Sequence, residues 1–475
     1  MLPAVGILEQ ARKARDPRFD GRIFIGARTT GIYCRPVCRV KLPRAENVGF
    51  FDSAAAATEA GYRPCLRCRP EAAPGNPVWQ GTSTTVQRAL QLIDEGVLDQ
   101  DNVEALSTLL GVTSRHLTRL FTRHVGASPK TIAQTRRLQF AKRLIDETHM
   151  PMTEIALSAG YGSLRPFNDH FKQTYHRSPR ELRKVLDQAC PQDQLTLRLS
   201  YREPYDFHGL LNFYAIRATP GVEIANESYE RSFMLDGESG RFSVHKDGSS
   251  LVCNIAGGSS RSLMNLVQRI RRMFDVDAIP DEINRVLSAD KKMRKVVNSA
   301  PGLRLPGAFD PFEVSVRAVV GQQVSVKGAT TVMGRIAARY GLESKHGLIF
   351  PDASRLADLK PGHLSMPTRR ALTIKELARR VSTGELDFGL PGHDSFQEAL
   401  LSIPGIGPWT AQYIALRARG NPDAFLAGDL VIRKATQSLH GTDREKEILA
   451  YADNWRPWRG YAVMHLWRYA ASLKR

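Results

Sequence analysis

The chain has 475 residues, 42% of them hydrophobic and 24% charged, and a formal net charge of +19. That balance excludes the fibrous and disordered classes and allows three or four globular domains whose cores need no disulfide staples. No run approaches the ~20 apolar residues of a membrane span, and the stretch before Glu9 is too short for an export leader. A cytoplasmic protein with no membrane partner is therefore expected.

Residues 1–190 carry 28 Lys and Arg against 18 Asp and Glu, and residues 191–475 carry 39 against 30. A basic excess spread over both halves predicts a polyanionic partner, because each neutralised phosphate releases counterions. Along the chain, residues 1–70 hold four of the six cysteines. Ala72-Ala-Pro-Gly-Asn-Pro77 is a breaker and reads as a linker. Residues 82–187 follow a helical pattern, and a polar break at Gln188–Asp193 ends them. Leu195–Tyr201 then alternates apolar and polar residues, as do stretches near Ser228–Phe233, Arg241–His245 and Leu251–Ile255. This period of two predicts an antiparallel sheet within an α+β domain over 195–284. From about 285 to the C-terminus the pattern is helical with short Gly/Pro turns. One repeat is visible: Leu106 and Gly111 recur as Ile155 and Gly160, offset by 49, and Phe121, Ser128-Pro129 and Ile132 recur as Phe171, Ser178-Pro179 and Leu182, offset by 50.

Cys34 and Cys38 are separated by three residues and Cys65 and Cys68 by two. Two such knuckles suit one tetrahedral Zn²⁺ held by four thiolates at about 2.3 Å. Disulfides are the alternative, disfavoured in a cytosolic chain. Spacing alone leaves open whether the zinc is structural or its sulfurs reactive. Arg35, Arg39 and Lys41 beside the first knuckle, and Arg63, Arg67 and Arg69 beside the second, would bring a DNA phosphate close. Four thiolates on Zn²⁺ carry −2 in total and remain electron-rich nucleophiles. The residues Thr29-Thr-Gly-Ile-Tyr-Cys-Arg-Pro-Val-Cys38, Glu46-Asn-Val48 and Gly61-Tyr-Arg-Pro-Cys-Leu-Arg-Cys68 resemble the N-terminal domain of the Ada methyl acceptors over residues 9–71. The resemblance implies that Cys34 takes a methyl group, stoichiometrically, from a DNA methylphosphotriester. Methylation would move the cluster from −2 to −1 and weaken its repulsion from DNA, a switch toward tighter binding.

In the first repeat, Val103–Leu110 reads as a helix ended by Gly111, and Thr113 or Ser114 caps a second helix with Leu117, Leu120 and Phe121 on one face. Arg115, His116, Arg119 and Arg123 are left for the outer face. In the second, Ser163 caps a helix with Phe167 and Phe171 inward and Arg165, Asn168 and Lys172 outward. Two such helices about one DNA turn apart would enter successive major grooves. A plain helical bundle with a solvated basic face is the alternative. The pattern resembles the AraC-type DNA-binding domain over residues 84–185.

Leu401-Ser-Ile-Pro-Gly-Ile-Gly-Pro-Trp-Thr-Ala-Gln-Tyr413 reads as helix, hairpin, helix, with Gly405 and Gly407 exposing backbone N–H groups to a DNA phosphate. Asp429 opens a later helix. It can serve as an N-cap and also stabilise the oxocarbenium-like sugar of a breaking glycosidic bond. The resemblance here is to helix-hairpin-helix glycosylases, and closest to the AlkA-type 3-methyladenine glycosylases, over about residues 195–470. It includes Phe312–Val326 and Pro457–Trp467. It implies Asp429 as the catalytic aspartate and Trp409, Tyr413 and Trp467 as aromatic walls of a pocket for a flipped, cationic purine. Core packing is the alternative for those three rings. Trp409 stands where bifunctional relatives carry the Schiff-base lysine, so hydrolysis without strand cleavage is expected. Gln323 falls at the wedge position, where the AlkA type has leucine; it can fill space and hydrogen-bond to the orphaned base. Neither Cys190 nor Cys253 has the Pro-Cys-His context of a guanine-repair cysteine.

The expected fold class is multidomain, mainly α with α+β: a zinc methyl-acceptor domain (1–75), an all-α double helix-turn-helix (82–187), an α+β AlkA N-terminal domain (195–284) and an all-α helix-hairpin-helix glycosylase (285–475). The expected partners are alkylated and promoter double-stranded DNA and RNA polymerase, with the chain acting as a monomer. The competing reading is a damage-sensing transcription factor with a structural zinc and no excision activity.

Overall fold

The computed structural model describes residues 2–75, 84–183, 194–364, 366–390 and 392–473. The break at Gln188–Asp193, with Cys190, and the end of the break at Ala72–Pro77 lie outside the described residues. The chain forms two compact units, Met1–Arg202 with Asp247–Gln268, and Glu203–Lys246 with Arg269–Arg475.

The first unit opens with the helix Val5–Ala14 and a four-stranded sheet in the order Val48–Phe51, Phe24–Ala27, Ile32–Cys34, Arg63–Pro64. The strands are two to four residues long, too short to show a period in sequence. Ile25 lies opposite Cys34 in the antiparallel hairpin, whereas Arg63–Pro64 joins in parallel with Tyr33 opposite Pro64. That parallel pairing brings the second cysteine pair to the first, and Cys65 N–H donates to the Tyr33 carbonyl at 3.0 Å. Gly26 is sterically required, since a Cβ there would lie 2.8 Å from the rings of both Phe51 and Tyr62. The helix Ala54–Glu59 starts at Ser53, whose Oγ accepts from Ala56 N at 2.9 Å, and it buries Ala54 and Ala57 against Phe24 and Tyr33.

The helices that follow realise the repeat. Val103–Leu109 leads through Gly111 (φ +66) to Ser114–Val125, and Met152–Ser158 leads through Gly160 (φ +76) to Leu164–Tyr175. Both turns need the left-handed region that glycine enters without strain. Leu117, Phe121, Phe167 and Phe171 are fully buried. Ser128 and Ser178 both cap helices that begin with proline, and Ser178 forms a full capping box with Glu181. Thr113 caps Ser114–Val125 by accepting from His116 N at 3.2 Å. Ser163 holds the N-cap position, but its side chain makes no capping bond, which corrects the expectation for the second copy.

The long helix Pro129–Glu147 joins the copies and buries charge as well as apolar groups: Lys142, Arg143 and Asp146 are all buried. Lys142 Nζ meets Asp146 Oδ2 at 2.5 Å, and Arg69, just after Cys68, reaches Asp146 at 2.9 Å and Glu147 at 3.4 Å. Glu59 accepts from Ser128 N at 2.7 Å. The cysteine module and the helical repeat are thus packed together. This unit also holds the antiparallel strands Gln194–Ser200 and Ser250–Gly257, with Leu197 opposite Cys253.

The second unit contains the antiparallel strands Glu223–Ala225, Tyr229–Leu235 and Glu238–Asp247 (apart from the last residue) and a helical body. Its core runs from Val222 to Ala470 and is centred on the helices Pro311–Val320, Thr368–Ser382, Pro408–Arg417 and Arg459–Ser472. A small hairpin, Leu342–Ser344 with Gly347–Ile349, interrupts the helices; its three-residue strands gave no sequence signal. Among the described residues, no helix is long and apolar enough to cross a membrane.

Candidate functional site

The sulfurs of Cys34, Cys38, Cys65 and Cys68 all lie within 4.8 Å of one another. A tetrahedron of thiolates around Zn²⁺ has edges of about 3.8 Å, so the four side chains fit one zinc in a four-cysteine site. Cys38 and Cys65 are buried, whereas Cys34 and Cys68 are partly open. The amide of Arg35 donates to Cys68 Sγ at 3.4 Å. Backbone amides of Val40 and Cys68 likewise bond Cys38 and Cys65. An N–H···S bond draws electron density from a thiolate, so the amides on Cys38, Cys65 and Cys68 temper those three sulfurs.

The surrounding arginines divide into two groups. Arg39, Lys41 and Arg67 are exposed. Arg35, expected to face DNA, instead donates to buried Asp20 at 2.8 Å and to the Cys68 carbonyl at 3.2 Å. Its charge is used inside the module, because a buried carboxylate needs a partner. Arg69 is likewise committed to Glu71, Asp146 and Glu147. No local pattern could have shown this, since Asp146 is 77 residues away.

On the first recognition helix Arg115, Arg119 and Arg123 are exposed, and half-buried His116 pairs through Nδ1 with Arg119 at 3.1 Å. On the second, Arg165 and Lys172 are exposed and Asn168 is half-buried. All lie off the buried faces made by Leu117 and Phe121 and by Phe167 and Phe171. Asp99 ties the copies together: it pairs with Arg136 at 3.3 Å and Arg137 at 3.5 Å, and Arg137 also donates to the Gly160 carbonyl at 3.4 Å.

In the second unit, Asp429 is the N-cap of the helix Leu430–His440, and its Oδ1 accepts from Val431 N at 2.9 Å and Ile432 N at 3.1 Å. The same carboxylate receives two indoles, Trp467 Nε1 on Oδ1 at 3.2 Å and Trp409 Nε1 on Oδ2 at 2.9 Å. Helix capping and both indole contacts therefore meet in one side chain. Trp409 stacks on Tyr413 with centroids 5.3 Å apart, and Tyr413 lies 6.4 Å from Trp467. Sequence reasoning missed Phe213, which stacks on Trp467 at 6.5 Å and 15°, and Arg417, which donates to the Tyr413 hydroxyl at 3.1 Å. Burial works against the Tyr413 phenolate, but Arg417, Arg217 and Arg317 outweigh it and hold its hydroxyl below the usual phenol range.

Gly405 (φ +92) is fixed by its neighbours, since a Cβ would lie 2.1 Å from Thr373 Oγ1. Gly407 caps Pro408–Arg417 without a side chain over its leading N–H groups. Gln322, also missed, donates to the Gly405 carbonyl and to Thr410 Oγ1, both at 2.9 Å. It anchors the adjacent turn, on which Gln323 (φ +55) and Val324 are exposed.

Four family models match the chain: the metal binding domain of Ada over residues 8–71, a helix-turn-helix domain over 106–185, the AlkA N-terminal domain over 196–310 and the HhH-GPD superfamily of base excision DNA repair proteins over 316–460. The chain is 40% identical over 472 residues, 96% of its own length and 95% of the relative's, to the "Probable bifunctional transcriptional activator/DNA repair enzyme AlkA" of Mycobacterium tuberculosis (strain CDC 1551 / Oshkosh). It is 34% identical over 279 residues, 57% of this chain and 95% of the relative, to DNA-3-methyladenine glycosylase 2 of Escherichia coli (strain K12). The solved 3-methyladenine DNA-glycosylase of Archaeoglobus fulgidus superposes over 58% of this chain and 98% of its own with a TM-score of 0.53 at 21% identity, a likeness of fold.

Proposed function

This chain belongs to the family of bifunctional transcriptional activator/DNA repair enzymes AlkA, and from that premise we propose that it repairs alkylated DNA by two separate reactions and activates transcription in response. The observation that carries the reading is the convergence of both pocket indoles on the helix-capping carboxylate of Asp429. The division into four parts, 1–75, 82–187, 195–284 and 285–475, belongs to the same reading.

In the first reaction Cys34 Sγ attacks the methyl carbon of a methylphosphotriester in line. The S–C bond forms, the C–O bond breaks, and its electron pair leaves with the phosphodiester. Cys34, Cys38, Cys65 and Cys68 would hold the zinc, which would keep their thiols deprotonated at neutral pH so that no base is needed. Arg39 and Arg67 hold the phosphate at the rim. The thioether product is stable, so each chain acts once.

In the second reaction a purine alkylated on its ring is flipped between Trp409, Tyr413 and Trp467, while Gln323 fills the vacated stack. Gly405 and Gly407 hold the backbone. The N-glycosidic bond breaks and its electron pair neutralises the cationic base. Asp429 stabilises the positive sugar until water adds at the anomeric carbon and gives up its proton to solvent. Trp409 offers no amine, so the strand stays intact.

The double helix-turn-helix reads promoter DNA through Arg115, His116 and Arg119 and through Arg165, Asn168 and Lys172. Two copies in one chain engage two grooves without a dimer, which supports action as a monomer; recruitment of RNA polymerase and a bacterial cytoplasmic location belong to the same reading. The test exposes the zinc-loaded protein to DNA bearing methylphosphotriesters and methylated purines. One adduct of about 14 Da, absent in Cys34→Ala, and free methylpurine, absent in Asp429→Asn, are expected. A chain that gains no mass and releases no base is the damage-sensing transcription factor instead.

A further inference from the structure

Behind the base pocket lies a cluster of buried charge that neither reaction uses. The Arg217 guanidinium sits 3.8 Å from the centroid of the Phe213 ring, and that of Arg417 lies 4.6 Å from the same ring. Arg417 is also 5.9 Å from the Tyr413 centroid and donates to its hydroxyl. Arg317 completes the group. Among the described residues, none of the three has a carboxylate partner. Arg417 donates to the carbonyls of Pro306 and Gly307, Arg217 to that of Phe213, and Arg317 to the hydroxyls of Thr219 and Thr330. The acids at the small cavity these arginines line are committed elsewhere: Glu313 and Glu223 to Arg231, and Asp310 to capping its own helix.

An aromatic ring attracts a cation through its quadrupole, and a cation already on the ring repels a second one. Two of the four rings around the pocket, Phe213 and Tyr413, are thus engaged by the protein's own cations. The other two, Trp409 and Trp467, give their N–H groups to Asp429 and carry no protein cation; each stacks one face on an engaged ring, Trp409 on Tyr413 and Trp467 on Phe213, and has its other face for the base.

We propose that Arg217 and Arg417 are specificity-determining residues of the base pocket. By occupying Phe213 and Tyr413 with protein cations, they weaken its preference for a positively charged purine over a neutral one. The pocket then selects flat purine shape by contact with the ring set, while attraction for positive charge comes from two indoles and Asp429 alone. This rests on the reading of these rings as the base pocket.

The experiment measures single-turnover release from two duplexes that differ only at the target, 7-methylguanine as the cationic base and hypoxanthine as the neutral one. Arg217→Met and Arg417→Met should raise the cationic-to-neutral rate ratio roughly three- to tenfold, and Arg217→Lys should leave it near the parent's value. A purely structural role lowers both rates together, and an unchanged ratio in folded methionine variants overturns the proposal. Phe213→Leu tests it without touching the arginines. A ring already engaged by cations gives the cationic base no advantage, so both rates should fall in step, and a severalfold drop in the ratio overturns the idea. A parent protein that releases neither base defeats the pocket reading and this inference with it. A parent that releases 7-methylguanine while the variants leave the ratio unmoved defeats the inference alone.

Discussion

Asn at position 429 separates the two duties of that carboxylate. The amide oxygen can keep the capping bonds from Val431 N and Ile432 N and the bond from Trp467, which Oδ1 now accepts at 2.9, 3.1 and 3.2 Å. The amide nitrogen, however, would face Trp409 Nε1, which now donates to Oδ2 at 2.9 Å, and two donors cannot bond. Losing one hydrogen bond to a charged acceptor costs about 2 kcal/mol, a modest fall in stability. The reaction loses more. A carboxylate about 4 Å from a developing positive charge, at an effective dielectric of about 20, contributes roughly 4 kcal/mol, or about a thousandfold in rate. Single-turnover release of 7-methylguanine, alongside a gel-shift titration and a melting curve, distinguishes the terms. Asp429→Asn should bind DNA like the parent, melt slightly earlier and react about a thousand times more slowly. Asp429→Ser, which can still cap the helix, should be as slow. A folded Asn variant reacting within tenfold of the parent would refute the electrostatic role.

Asp146 pairs with both Arg69 and Lys142, which also share Glu71, so Asp146→Asn weakens the network without stranding either cation and should destabilise the first unit by about 1–3 kcal/mol; calorimetry of the zinc-loaded protein should show its transition lowered by roughly 2–12 °C, and an unmoved transition would contradict the pairing. Burial pushes the Asp275 carboxyl up to about 6 from its ordinary 3.8, despite Arg304 and the bonds from Leu305 N and Tyr461. The folded state therefore binds this proton more tightly than the unfolded chain, and the stability it contributes is lost as pH rises from about 4 to 6. Asp275→Asn removes that loss, so the variant's stability relative to the parent should climb by about 2 kcal/mol across the window; a flat difference in denaturation midpoints would show that the proton is not held.

What was legible in the sequence depended on how local its cause is. Four cysteines in two short knuckles carry their own geometry, and the repeat shows in glycines and Ser-Pro caps that each serve a single turn. Asp429 was legible because a cap and a following helix are adjacent in sequence. The small sheet of the cysteine module left no trace, because strands of two to four residues cannot show alternation. Phe213 and Arg417 were invisible as pocket residues for another reason: nothing local marks a phenylalanine in one apolar helix as the neighbour of a tryptophan more than 250 residues away. Ser163 shows the converse, a residue type that fits the capping position without making the bond.

The arginines decide how the charge should be interpreted. A net +19 suggests a surface covered in phosphate contacts, yet Arg35, Arg69, Arg231, Arg317 and Arg417 are turned inward, onto carboxylates, carbonyls and rings. Arg35 and Arg69 brace the two cysteine knuckles, and Arg417 holds the Tyr413 hydroxyl. In the two proposed reactions both working groups, a cluster of thiolates and a carboxylate, are anionic, and both would be held against a polyanion that repels them. Phosphate contacts at the rim can offset that repulsion only if the anions behind them cannot retreat. Inward arginines prevent such a retreat. The salt dependence of DNA binding should accordingly report only the outward set, and exchanging an inward arginine should change reaction rates or stability while leaving that slope intact.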